Sequence, residues 1–231
     1  MSQQGQDTAI LSESIETILM ERRSVRSFLD KPVPQSLLER VFTLAQRSPS
    51  NCNTQPWAVH VASGETLAAL REALPKQAMS GNTHLDFPYN IKYPGVFQER
   101  QYDAANKLYA SLDIKREDKA RRQDVFMDNY RFFGAPHAVF LFLPEHFGLR
   151  EAADVGMYAQ SLMLTLTAHG LGSCPQTSLG FHADIIKEML GIGEELKLLF
   201  GLSFGYPDLD SPINTVRVDR AELTDVAVFH Q

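Results

Sequence analysis

The sequence predicts a fold that mixes helices with a central sheet, and three stretches carry that prediction. Ala138–Leu143 is an unbroken apolar run, as expected of a strand covered on both faces. Leu196–Phe204 reads as a second buried strand, closed by Gly205-Tyr206-Pro207. Between them, Ala152–Leu171 places apolar or small residues almost all the way round a helix, which demands burial in a large core or a subunit interface. Gly156 would permit close approach there. At about five turns, with polar ends, this helix is too short to span a bilayer.

Bulk properties bound the function. The chain has 231 residues, 44% hydrophobic and 22% charged, enough for a substantial core in one domain over 1–231. Its net charge of −6 disfavours nucleic acid and anionic membranes as partners. Two cysteines, Cys52 and Cys174, are too few for a disulfide framework or an unaided zinc site and suit a reducing compartment. The polar N-terminus has no basic region followed by an apolar run, and no stretch approaches the ~20 apolar residues of a membrane helix. The expected location is the cytoplasm.

In chain order, residues 1–11 read as a loose tail. Ser12 or Ser14 caps a helix bearing Ile15, Ile18 and Leu19, which ends near Arg22–Arg23. Prolines 32 and 34 interrupt the chain, and Pro34 starts a helix with Leu37, Leu38, Val41, Phe42, Leu44 and Ala45 as its core face. Trp57–Ala62 alternates as a strand, and Glu65–Leu74 is helical. Residues 75–130 form an irregular excursion or lid, with prolines and aromatics over Asp86–Pro94 and a solvated charged helix face over Lys115–Arg122. A helix over Ile185–Leu190 precedes the second buried strand. Residues 208–231 are an extended C-terminal segment carrying Asn214, Arg217 and Arg220.

Two motifs carry chemistry. Glu21-Arg22-Arg23-Ser24-Val25-Arg26-Ser27-Phe28 gathers three guanidiniums and two hydroxyls where a helix runs out. Arginine's planar donor fork matches phosphate oxygens, so this stretch reads as a phosphate seat. Ser48-Pro49-Ser50-Asn51-Cys52-Asn53-Thr54-Gln55-Pro56-Trp57 offers small amides and hydroxyls suited to a planar, heteroatom-rich ring. The plainer alternatives are arginines complementing a helix C-terminus and an ordinary turn-rich loop. Walker, GxGxxG, HExxH, CxxC and GxSxG motifs are missing, so redox chemistry would need a bound cofactor. Cys52 and Cys174 have no histidine nearby in sequence and read as small packed residues.

Taken together, Arg22–Arg26, Ser48–Trp57, Asp154-Val155-Gly156, Gly170-Leu171-Gly172, Gly205-Tyr206-Pro207 and the Asn214–Arg217 segment resemble the nitroreductase family of flavin enzymes, from about Ile15 to Phe229. The resemblance implies an α+β, nitroreductase-like fold: a mainly antiparallel central sheet flanked by helices, a long buried central helix, and a C-terminal extension crossing onto a partner subunit. It implies an FMN-dependent homodimer with two flavin sites at the interface, each built from both chains. Arg22, Arg23, Ser24 and Arg26 would hold the phosphate and ribityl end, with Arg217 reaching back to it. Pro49, Ser50, Asn51 and Asn53 would come from the other subunit. Pro175, Gln176, Thr177 and Ser178 would line the flavin, with a backbone N–H or hydroxyl facing N5. Arg220 is open between a cofactor contact and a solvated surface residue.

The implied activity is NADH- or NADPH-dependent reduction of nitroaromatics, quinones or similar small-molecule acceptors, by hydride transfer through N5 in ping-pong fashion. The nicotinamide would be a transient co-substrate, and no side chain need act as nucleophile. Reductive dehalogenation or enone reduction on the same scaffold, a non-catalytic flavin-binding protein, and phosphate-ligand binding without flavin are the rival readings.

Overall fold

The computed structural model describes residues 3–90 and 92–231. Ile91, inside the proline- and aromatic-rich stretch, lies outside the described residues. Among them four strands form one sheet: β1 (Ala58–Ser63), β2 (His137–Pro144), β3 (Gly172–Gln176) and β4 (Leu196–Gly205), in the order β1-β2-β4-β3. Every pair is antiparallel, and a register shift at Leu141/Phe142 marks a bulge between β2 and β4. The apolar run foreseen as a central strand is β2, buried from His137 to Leu143.

Among the described residues seven α-helices surround the sheet: α1 (Gln3–Glu21), α2 (Gln35–Ala45), α3 (Gly64–Ser80), α4 (Val96–Ser111), α5 (Lys119–Met127), α6 (Leu149–Ala168) and α7 (Ala183–Leu190). Two apolar clusters sandwich the sheet. One joins α2 and α6 to Val139, Leu141, Leu143, Leu202 and Phe204; the other joins α3 and α7 to Ala138, Phe140, Phe142 and Leu198. Alternate residues of β2 therefore serve opposite cores, which is the period-2 geometry of a strand buried on both faces.

Several expectations need correction. Helix α1 already covers Gln3–Leu11, where a loose tail over 1–11 was expected (residues 1 and 2 lie outside the described residues), and Ser14 caps nothing: its hydroxyl donates to the Ile10 carbonyl at 2.7 Å. Helix α3 runs through Pro75 to Ser80, because the buried face of Leu67, Leu70 and Leu74 holds it against the second core. Helix α6 buries Asp154, Val155, Tyr158, Ala159, Leu162 and Leu166, but Gly156 and Met157 face outward, so one side of it is open in the single chain. Strand β3 escaped the sequence reading. It sits at the sheet edge, the position that tolerates Pro175.

Candidate active site

The arginine stretch leaves α1 and joins the open edge of β3. Ser24 bridges Ser173 in parallel, and the Val25 N–H donates to the Ser173 carbonyl at 2.9 Å. Gly172 makes this docking possible, since a Cβ there would lie 2.6 Å from Val25 Cγ2. Arg22, Arg23, Ser24 and Arg26 thus stand half-buried on the sheet edge, above the buried Cys174. Burial pushes the Cys174 thiol up, against the opposing pull of Arg26, Ser24 and Arg22. Cys174 is packed as expected, whereas Cys52 is exposed.

The C-terminal segment returns to the same place. Asn214 is buried: its Oδ1 accepts from the Arg26 N–H at 2.8 Å, and its Nδ2 donates to the carbonyls of Ser27 and Asp208, both at 2.8 Å. This staple brings Arg217 and Arg220 toward the seat. Burial lowers Arg22's pKa and Arg220's charge lowers it further; burial and then Arg217 do the same to Arg23. Among the described residues no carboxylate lies within ion-pair distance of Arg22, Arg26, Arg217 or Arg220, and Arg23 meets Glu21 only at 3.5 Å. The Arg23 Nε is buried without a partner. These like charges meet little counter-charge, Glu21 beside Arg23 and Asp219 beside Arg220, an arrangement that can hold an anion.

Beyond the seat, burial alternates only from Cys174 onward. Cys174 and Gln176 point inward, while Pro175 and Thr177 are exposed and Ser178 is half-buried. The Gln176 side chain is spent in the interior, donating to the Asn129 carbonyl at 2.7 Å and accepting from the Ser203 hydroxyl. Only its backbone can face a ligand. The Ser178 hydroxyl oxygen is buried with no partner, a group waiting for one.

The loop of Pro49, Ser50, Asn51 and Asn53 is built tightly. Ser50 Oγ accepts from the Gln55 N–H at 2.9 Å, and the buried carboxylate of Asp154 accepts from the Asn51 N–H at 3.1 Å. Cys52, Asn53 and Gln55 adopt left-handed backbone angles of +50°, +56° and +49°. Behind the loop, Trp57 stacks on Tyr158 with ring centroids 5.0 Å apart and donates Nε1–H to Gln46 at 3.1 Å. Burial pushes the Tyr158 hydroxyl up to about 12. The structure does not bring this loop to the arginines of its own chain. Asn51 is fastened near the start of α6 and Ser24–Val25 just past its end, about 20 Å apart along the helix.

Asp154 and Asn214 are the positioning residues that sequence reasoning named without a role. A buried polar side chain beside a turn-rich loop was the available signal, but their partners lie 103 and 188 residues away.

An α+β sandwich with an arginine seat on its sheet edge is the class that these features define. A sequence model of the Nitroreductase family matches residues 19–206. The nitroreductase NfnB of Mycolicibacterium smegmatis is 44% identical over 223 residues, covering 96% of this chain and 95% of that one. A 4-nitrobenzoate reductase of Pseudomonas putida is 32% identical, covering 92% and 93%. The crystal structure of FMN-dependent NfnB from Mycobacterium smegmatis in complex with NADPH superposes with a TM-score of 0.92 at 43% identity, covering 96% of this chain and all of that one. The chain belongs to the nitroreductase family, an oxidoreductase family, and has its α+β fold. No helix among the described residues is long and apolar enough to cross a membrane.

Proposed function

We propose that this protein is an FMN-dependent nitroreductase that draws electrons from NADPH or NADH and delivers them to nitroaromatic or quinone acceptors. The observation that carries the reading is the sparsely compensated arginine seat beside β3, whose exposed Pro175 leads on to the exposed Thr177 just past the strand's end. The residues fit the cofactor. A phosphate of about two negative charges would satisfy Arg22, Arg26 and Arg217, which pair with no carboxylate, and a flavin edge would offer the buried Ser178 hydroxyl a partner. When bound, FMN would supply two-electron exchange at N5, serving a nicotinamide and an acceptor in turn at one face.

This chain's own residues do the rest. Arg22, Arg23, Arg26 and Arg217 bind the phosphate, Ser24 adds a neutral donor, and Asn214 holds the Arg26 backbone in place. Pro175, Gln176 through its backbone, Thr177 and Ser178 wall the ring. Pro49, Ser50, Asn51 and Asn53, out of reach of their own arginines, serve the site of a second copy. Exposed apolar side chains on α1 (Ile10, Leu11, Ile15 and Leu19) and near the C-terminus (Val226, Val228 and Phe229) support such a homodimer. The relatives' names, with NADPH bound in one structure, favour nitroaromatics and NADPH within these classes.

The test is flavin retention and bleaching. Purified protein should be yellow, lose its colour anaerobically with a reduced nicotinamide, and regain it with a nitroaromatic. Arg22→Ala or Arg26→Ala should weaken FMN by about 1.5–3 kcal/mol, the cost of one charge-assisted phosphate contact. Parent-like flavin binding in both variants overturns the seat.

A further inference from the structure

We propose that Arg71, on α3, is a positioning residue for the arginine seat, acting through a strained turn that wedges Phe133 beneath it. The inference rests on the reading that the seat takes the FMN phosphate.

The turn is unusual. Phe132, Phe133 and Gly134 are left-handed in succession, with φ of +57°, +53° and +77°. Bulky side chains disfavour that region, so the conformation persists only where its surroundings impose it. The two phenyl rings are driven into different cores. Phe132 packs edge-on against Phe140 at 6.2 Å in the cluster of α3 and α7, while Phe133 joins Val25, Phe28, Ala135 and Cys174 directly under the seat.

Two side chains hold the turn from outside. Arg71, half-buried on α3, donates Nε–H to the Arg131 carbonyl at 3.2 Å and Nη2–H to the Ala135 carbonyl at 2.7 Å. One planar fork therefore spans both ends of the left-handed run and fixes its closure. Gln176 holds the entry by donating to the Asn129 carbonyl at 2.7 Å. The turn thus links the ring-lining strand to the floor of the seat, and Arg71 is the clamp that lies in neither. Releasing it lets the run relax toward right-handed angles and withdraws Phe133 from Val25 and Cys174. The segment carrying Arg22 to Arg26 then loses its support from below.

The experiment measures the affinity ratio of FMN to riboflavin, which lacks the phosphate, by dialysing full-length holoprotein against mixtures of the two. The parent should prefer FMN strongly. Arg71→Met should lower the ratio about tenfold, equivalent to ~1.4 kcal/mol, through weaker FMN binding with riboflavin binding little changed. Arg71→Lys should recover part of the loss, because an ammonium reaches one of the two carbonyls. Phe133→Leu, which keeps the core apolar and shortens the wedge, should act in the same direction and carries the test if Arg71→Met fails to fold. A parent-like ratio in the folded variants, or equal weakening of both flavins, overturns the role of Arg71. A parent with no preference for FMN overturns the phosphate reading itself and the inference with it, a result visible before any variant is made.

Discussion

The sheet with α6 and the excursion of residues 84–127 are held together by different physics. In the first, β2 is buried from His137 to Leu143, and α6 buries six residues against it. In the second, α4 has no buried residue and α5 has only Met127. Helices α4 and α5 are held largely by surface contacts: Lys107 with Asp103 at 3.0 Å and Asp219 at 2.5 Å, Arg121 on the carbonyls of Leu112 and Asp113, and Arg122 over the Tyr109 ring at 3.7 Å. Exposed pairs of this kind contribute roughly 0–1 kcal/mol each. The sheet and α6, on which the proposed cofactor seat is built, are therefore over-determined, while the excursion can change sequence at little cost to folding.

That contrast is broken most directly by truncation. Leu162→Ala, in the fully buried face of α6, should cost about 2–5 kcal/mol in denaturant unfolding. Phe97→Ala on α4, 57% exposed, should stay within about 0.5 kcal/mol. A large loss at Phe97 would mean that a second copy covers α4, and the two halves would no longer differ.

One stitch between the halves is not superficial. Lys187 on α7 is 4% exposed and donates to Asp86 at 3.1 Å and to Glu194 at 2.9 Å; Asp86 also accepts from the Leu198 N–H at 2.7 Å. Burial works to lower the lysine's pKa, but its hydrogen bonds to Glu194 and Asp86 carry it above its ordinary value. Asp86→Ala should cost about 3 kcal/mol, the low end for breaking a buried pair, because Glu194 remains. Asp86→Ala with Lys187→Met should be less destabilised than Asp86→Ala alone. Equal losses would place Asp86 among the surface pairs.

The fold was legible wherever local pattern and burial agree. Unbroken apolar runs marked β2 and β4, and the all-round apolar pattern marked α6. Strand β3 was hidden because Gly172-Ser173-Cys174-Pro175-Gln176 has no strand signature; its pairing with β4 comes from a sequence-distant partner. Arg22, Arg23 and Arg26 were legible as a group because they are close in the chain, and the structure gathers Arg217 with them. The direction of Gln176 was not legible. It depends on Asn129 and Ser203, which no spacing in the sequence connects to it. Asp154, Asn214 and Arg71 share that property: each acts on backbone groups distant in sequence.

The smallest expected effect concerns the seam itself. His84 bridges His182, the His84 N–H donates to the Phe181 carbonyl at 2.8 Å, and Tyr89 packs on Phe181 at 5.2 Å. His182 is buried against Tyr130 at 5.0 Å, and neither ring nitrogen has a partner. Burial lowers its pKa, and Asp184 offsets this only in part. The unfolded chain therefore takes up a proton near pH 6.5 that the folded chain refuses. The stability this residue contributes is present above that pH and is lost as pH falls toward the depressed value. His137 and His60, also lowered by burial, act with the same sign. His182→Phe should leave stability at pH 8 within about 1 kcal/mol of the parent, since an apolar ring replaces an unpartnered polar one. Its loss of stability between about pH 6.5 and 5 should be shallower than the parent's. Denaturant unfolding across that range decides the point: superimposable pH profiles would show that the seam is not where acid weakens the molecule.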